Sequence, residues 1–139
     1  MKIWLDTEFN GWGGNLISMG MVAENGQTFY EVLHCPNPTL WVEKNVIPYL
    51  NKDHISYGEF QYKALDYLRQ FDICEIYAAW PDDFVHLLKL LVLGDGIKSS
   101  TPPLSMHMVV PTPETIKIMQ SHVTHNALDD AKALKLAHP

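Results

Sequence analysis

The chain has 139 residues, 47% of them hydrophobic, which is enough for one core and too short for two ordinary domains. Its 16 acidic side chains against 10 Lys and Arg leave a net charge of −6. That balance argues against a broad basic surface gripping duplex DNA, because such binding depends on Lys and Arg releasing counterions. A short single-stranded end remains compatible with the charge, since divalent cations can contact its phosphates and aromatic rings can stack on its bases. The opening MKIWLDTEF contains no apolar h-region, and no run of about 20 apolar residues follows, so a soluble, cytoplasmic protein with no membrane segment is expected. Cys35 and Cys74 sit in no paired spacing and are expected to remain free thiols.

Residues 2–9 (KIWLDTEF) read as a strand and LISMGMVA at 16–23 as a second, separated by a glycine-rich loop at 10–15. Asn25-Gly26 before QTFYEVL is the strongest short-range hairpin signal in the chain. Helices are predicted over about 39–50 and 57–71, the latter from Phe60, Ala64, Tyr67, Leu68 and Phe71 at helical spacing. EIYAAW (75–80) suits a buried strand. After Pro81, DDFVHLLKLLVLG carries the apolar stripe Phe84, Leu87, Leu88 and Leu91 and predicts a helix that stops at Gly94. The Gly-, Ser- and Pro-rich stretch 95–103 reads as a loop, and MHMVV (106–110) as a short edge strand. A helix after Pro113 and a last one over 127–137 complete the order. It predicts a single α/β domain over 1–139, a mixed sheet with an N-terminal three-stranded antiparallel meander, flanked by helices.

On a strand, residues two apart share a face, so Asp6 and Glu8 project together while Leu5 and Thr7 point the other way. Two neighbouring carboxylates repel and raise each other's pKa unless a cation sits between them, a pattern suited to Mg²⁺ or Mn²⁺ with oxygen ligands. The plain alternative is an Asp-x-Glu decorating a solvent-facing strand. The apolar start Ile3-Trp4-Leu5, which reads as a central strand, counts against it.

Helical periodicity sorts the later acids. Asp82 shares a side with His86 and Lys89, a polar face, whereas Asp83 lies with Leu87, Leu90 and Leu91 along the buried stripe. An ionised carboxylate there is costly unless paired or metal-bound. Either aspartate could instead cap the helix N-terminus. In the tail T-H-N-A-L-D-D-A-K-A-L, Asp130 lies inward with Ala127, Ala131 and Leu134, and Asp129 turns towards Lys132. Small alanines on that stripe let the helix approach the sheet. Asn126 can cap it, with Asp129 in a capping-box-like role. Inside the helix His125 would face with Asp129 rather than Asp130, so it is placed before the helix. There it can reach a water as general base, its unperturbed pKa of about 6.5 matching neutral pH. A surface residue or partial cap is the alternative. His34, His54, His86, His107 and His122 lack comparable acidic company.

Taken together, D-T-E near the N-terminus, an inward Asp in the middle and H-N-A-L-D-D-A near the C-terminus resemble the three motifs of the DEDDh exonucleases, which share a ribonuclease H-like fold. The resemblance covers nearly the whole chain, and His-x₄-Asp-Ala is its most specific part. WLDTEF, the early hairpin and AAWPDDF, which stands in place of the commoner asparagine-rich middle motif, look most similar to the small mycobacterial and phage-type 3′-to-5′ exoribonucleases. The resemblance implies that Asp6, Glu8, Asp83 and Asp130 bind two Mg²⁺ or Mn²⁺ ions and that His125 is the general base. All five would then act in catalysis, releasing nucleoside 5′-monophosphates from the 3′ ends of single-stranded RNA or DNA. RNA is favoured from the subfamily resemblance alone. Asp82 is the alternative to Asp83 as middle ligand.

Phe9, Trp12, Trp80 and Phe84 flank the acids and are candidates to stack on terminal bases. Core packing is the alternative for each, least so for Trp12, which rides on Gly11-Trp12-Gly13-Gly14. So small a chain with few basic residues is compatible with a homodimer that completes the substrate groove. Rival readings are a catalytically silent binding module on the same fold, which should have lost an acid or the histidine, and a proofreading DNA exonuclease subunit whose partner grips the substrate. A structural zinc protein using His122 and His125 with Cys35 or Cys74 would leave the carboxylates unexplained.

Overall fold

The computed structural model describes residues 1–121 and 125–139. Three antiparallel strands open the chain: β1 (Lys2–Phe9), β2 (Leu16–Ala23) and β3 (Thr28–Val32). The expected Asn25-Gly26 turn joins the second pair, with Gly26 at φ +91°, a conformation that costs glycine little. Helices α1 (Leu40–Asn45) and α2 (Tyr57–Leu68) follow, then β4 (Cys74–Ala78), which pairs with β1 in parallel. Next come α3 (Pro81–Lys89), a small hairpin of β5 (Val92–Gly94) and β6 (Ile97–Lys98), and β7 (Leu104–Met108), parallel to β4. Helices α4 (Pro113–Gln120) and α5 (Ala127–Ala137) end the chain. The main sheet is mixed and five-stranded, in the order β3-β2-β1-β4-β7.

Alternation along β1 divides the sheet into two faces. Ile3 and Leu5 point to one, where Met19, Met21, Ile76 and Ala78 meet Phe60, Ala64 and Leu68 of α2 and Leu87 of α3. Each large apolar side chain buried there contributes about 1.5–3 kcal/mol relative to exposure. Trp4 points to the other, with Val22, and packs against Ala131 and Leu134 of α5 and Met119 of α4. Cys74 lies in the first of these clusters, Cys35 beside a third formed by Ile17, Val42 and Val46, and both are free thiols.

Several boundaries differ from expectation, among them that of the strand expected over 75–80, which spans Cys74–Ala78 because Trp80 is already the N-cap of α3. The helix expected over 39–50 ends at Asn45, and 47–49 forms a separate 3₁₀ turn. Pro48 lacks an N–H and disfavours helical geometry at the residue before it. Helix α2 ends at Leu68 rather than at residue 71, with Arg69 as its C-cap. The helix expected to run to Gly94 stops at Lys89, because Asp95-Gly96, with Gly96 at φ +68°, turns the chain into the β5–β6 hairpin. The edge strand lies at 104–108, two residues earlier than its expected span. Two residues of α3 also face otherwise than their spacing predicts. Leu88 is exposed, and His86, assigned to a polar face, is buried against the Phe9 ring.

Candidate metal centre

Asp6 and Glu8 sit on the α5 face of β1, opposite Gly20 and Ser18 of β2. Gly20 is what brings α5 within reach. A Cβ on Gly20 would lie 2.4 Å from the carbonyl carbon and oxygen of Ala127 and from the nitrogen of Leu128. The first turn of α5 therefore rests on bare strand backbone, with Ala127 and Ala131 fully buried at the contact.

Asn126 fixes that turn. Its side-chain oxygen accepts from the N–H groups of Leu128 (3.1 Å) and Asp129 (3.2 Å), and its amide donates to the Tyr49 carbonyl (3.0 Å) and the Tyr30 hydroxyl (3.2 Å). The expected cap is present and is tied to β3 as well. Asp129 is exposed and Asp130 is turned inward. His125 precedes the helix, as the periodicity required. It has φ +53°, uncommon for a residue with a side chain, and its ring meets Trp41 edge-on at 5.2 Å. Ligand atoms of Glu8, His125 and Asp130 all lie within 4.8 Å of one another.

The fourth carboxylate arrives from the opposite layer. Asp83, in the first turn of α3, is 1% exposed, whereas Asp82 is half-buried. The backbone N–H and hydroxyl of Thr7 both donate to Asp83 Oδ1, at 3.1 and 2.6 Å. Thr7 points away from Asp6 and Glu8, so it can hold Asp83 over the end of β1. The N-cap position of α3 is Trp80, which makes no side-chain cap bond.

The electrostatics follow from burial and crowding. Asp6 is pushed well above the usual carboxylate range by burial first, then by Asp83, Asp130 and Glu8. Glu8 is pushed up to about 8 by burial and then by Asp130 and Asp83. Burial raises Asp83 to about 7 despite its bonds from Thr7. Among the described residues no Lys or Arg pairs with these three acids, and Asp6 Oδ2 and Asp83 Oδ2 are buried with no hydrogen-bond partner. Buried acceptors of this kind, oxygen-rich and beside one imidazole, fit a hard divalent cation.

The acids lie at the bottom of a cleft of about 580 Å³ whose walls include Phe9, Trp12, Trp41 and Trp80. Trp12 is 78% exposed on the 10–15 loop, where Gly11 and Gly13 both have φ +72°, and it meets Trp80 edge-on at 5.7 Å. Phe84 is the exception among the expected aromatics. It packs against the main core, and the cleft lining does not include it. Trp41, outside the expected aromatics, stands in the cleft wall instead. Its signal was available, since Val42 of α1 and its C-cap Val46 form one buried side and Trp41 falls off it.

Compared with known proteins, the chain matches no protein-family model, and no curated sequence is significantly similar to it. Among the described residues no helix is long and apolar enough to cross a membrane. The zinc reading finds its cysteines elsewhere, Cys74 in the core cluster under α2, and its His122 lies outside the described residues.

Proposed function

We propose that the protein is a metal-dependent phosphodiesterase and, more particularly, a 3′-to-5′ exonuclease of the DEDDh type on a ribonuclease H-like fold. Its substrate in this reading is a single-stranded 3′ end, RNA in preference to DNA. The observation that carries it is the convergence of Asp6, Glu8, Asp83 and Asp130, from three elements and both layers, at the bottom of one aromatic-walled cleft. The meander continued by two parallel strands, with helices on both faces, supports the fold assignment.

Asp6, Glu8, Asp83 and Asp130 would hold Mg²⁺ or Mn²⁺, two ions in this reading. Bound there, the cations would supply an activated water and charge stabilisation at the leaving 3′-oxygen. His125 stands beside Glu8 and Asp130 and takes the proton of the attacking water at a ring nitrogen. Thr7 orients Asp83, Asn126 sets the direction of the Asp130 helix, and the rings of Trp12 and Trp80 cover the terminal bases.

A 5′-labelled single-stranded oligonucleotide incubated with Mg²⁺ or Mn²⁺ should shorten from its 3′ end, and EDTA should stop it. Asp6→Asn should reduce the rate at least about 10³-fold, on the scale of losing a group that stabilises transition-state charge. Full activity in that variant would sink the assignment. Matched RNA and DNA oligonucleotides in the same assay decide the sugar preference.

A further inference from the structure

A second cleft, of about 790 Å³, has Asn15, His34, His54, Tyr57, His86 and Lys89 in its lining. The parallel bridge between Leu33 and Ile55 sets two segments side by side, and the rings of His34 and His54 stand 4.9 Å apart. His86 enters from α3. It is 7% exposed and makes no hydrogen bond among the described residues. Its ring packs on Phe9 with centroids 5.2 Å apart, and Phe9 lines the acidic cleft. At this point the wall between the clefts is two rings thick. The 10–15 loop forms the shared rim, with Gly11 and Trp12 on the acidic side and Asn15 on the other.

Charge distinguishes the two. The first cleft is built around four carboxylates. In the lining of the second, Lys89 is a cation, and Glu59, the acid there, is paired with Lys63 at 3.5 Å. Burial, with Lys89 second, lowers the His86 pKa, so at neutral pH the ring is uncharged and keeps one N–H donor. That N–H has no partner among the described residues, and an acceptor entering the cleft can take it. Phosphate oxygens accept from imidazole, ammonium, amide and phenol groups alike, which is the set this cleft presents.

We propose that the second cleft binds backbone phosphates of the single strand upstream of the 3′ end, with His34, His54, His86 and Lys89 as donors. The identity of the ligand rests on the exonuclease reading, whereas the preference for an anion rests on the cleft's own side chains. A strand leaving the acidic cleft crosses the rim at Trp12 and enters the second, so substrates long enough to occupy both bind better than those confined to one.

The test uses the intact protein. In EDTA, where no hydrolysis occurs, a single-stranded hexanucleotide should shift the NMR ring signals of His34, His54 and His86. With Mg²⁺, the double variant His34→Ala/Lys89→Ala should raise KM about tenfold for the hexanucleotide and less than twofold for a dinucleotide. Histidine signals that stay in place, or a KM change independent of length, overturn the proposal. Inorganic phosphate binding as tightly as the hexanucleotide overturns it too, because the cleft would then be an anion site with no strand in it. Shifted signals without any shortening under Mg²⁺ would uphold the cleft and remove the exonuclease reading, and shortening without shifts would do the reverse.

Discussion

At the scale of single residues, the site is a set of acids held where they would rather be protonated. Glu8 at about 8 and Asp83 at about 7 lie above their ordinary values of 4.5 and 3.8, so the folded chain binds more protons than the unfolded one between those limits. Their contribution to stability is fully present below about pH 4 and is lost as pH rises through the folded values. The metal-free protein should therefore melt at a lower temperature at pH 8 than at pH 5. Saturating Mg²⁺ should recover more of that loss at pH 8, because cations bind the deprotonated carboxylates. Thermal melts in EDTA and in Mg²⁺ at the two pH values check this, and a pH-independent melt in EDTA would contradict it. Which acids face inward was legible from period alone, as Asp83 and Asp130 show. Thr7 was not, because a threonine between two acids carries no periodic signal of the bond its hydroxyl makes across the sheet.

At the scale of elements, the decisive contact is α5 on β2. Gly20→Ala places a methyl 2.4 Å from helix backbone, which cannot move aside as a side-chain tip can. The cost should be about 1–3 kcal/mol or more, with Asp130 and His125 displaced from Glu8. Gly58, in the first turn of α2, has nothing within 4 Å of its missing Cβ. Gly58→Ala should stabilise by about 0.5–1 kcal/mol through helix propensity. Urea denaturation of the two variants reads both signs, and a neutral Gly20→Ala would show that α5 does not depend on this approach. The meander, α2 and α5 were legible because their apolar spacing is regular and their turns and caps are strong. Pro48 and Asp95-Gly96 were legible too, but the apolar residues around Pro48 and the apolar run before Asp95 outweighed them. The β5–β6 hairpin shows the cost of that weighting, since the two-residue turn prevailed over the apolar stripe.

At the scale of the whole molecule, an acidic protein concentrates its carboxylates at one cleft and covers the rim with rings. Trp12 is nearly free of the core, so Trp12→Ala should change folding stability by less than about 0.5 kcal/mol. If its ring stacks on a base, the same variant should weaken oligonucleotide binding by about 1–3 kcal/mol, read as a 5- to 150-fold rise in KM. A loss confined to stability, with KM unmoved, would return Trp12 to the role of a packing residue. The sequence exposed the acids and this loop tryptophan. The partnership of Trp41 with His125 needed the folded chain, since the two are 84 positions apart in sequence (125 − 41) and meet only because α1 and the start of α5 close on the same cleft.

The bond from Thr7 to Asp83 gives the triplet Asp6-Thr7-Glu8 a grammar. Read along β1, the first and third letters address one layer of the protein and the middle letter addresses the other. Transplanting two acids at a spacing of two onto another strand would reproduce half of that message. The shortest word that reaches both layers has three letters, and in it the uncharged one is spelled as strictly as the acids.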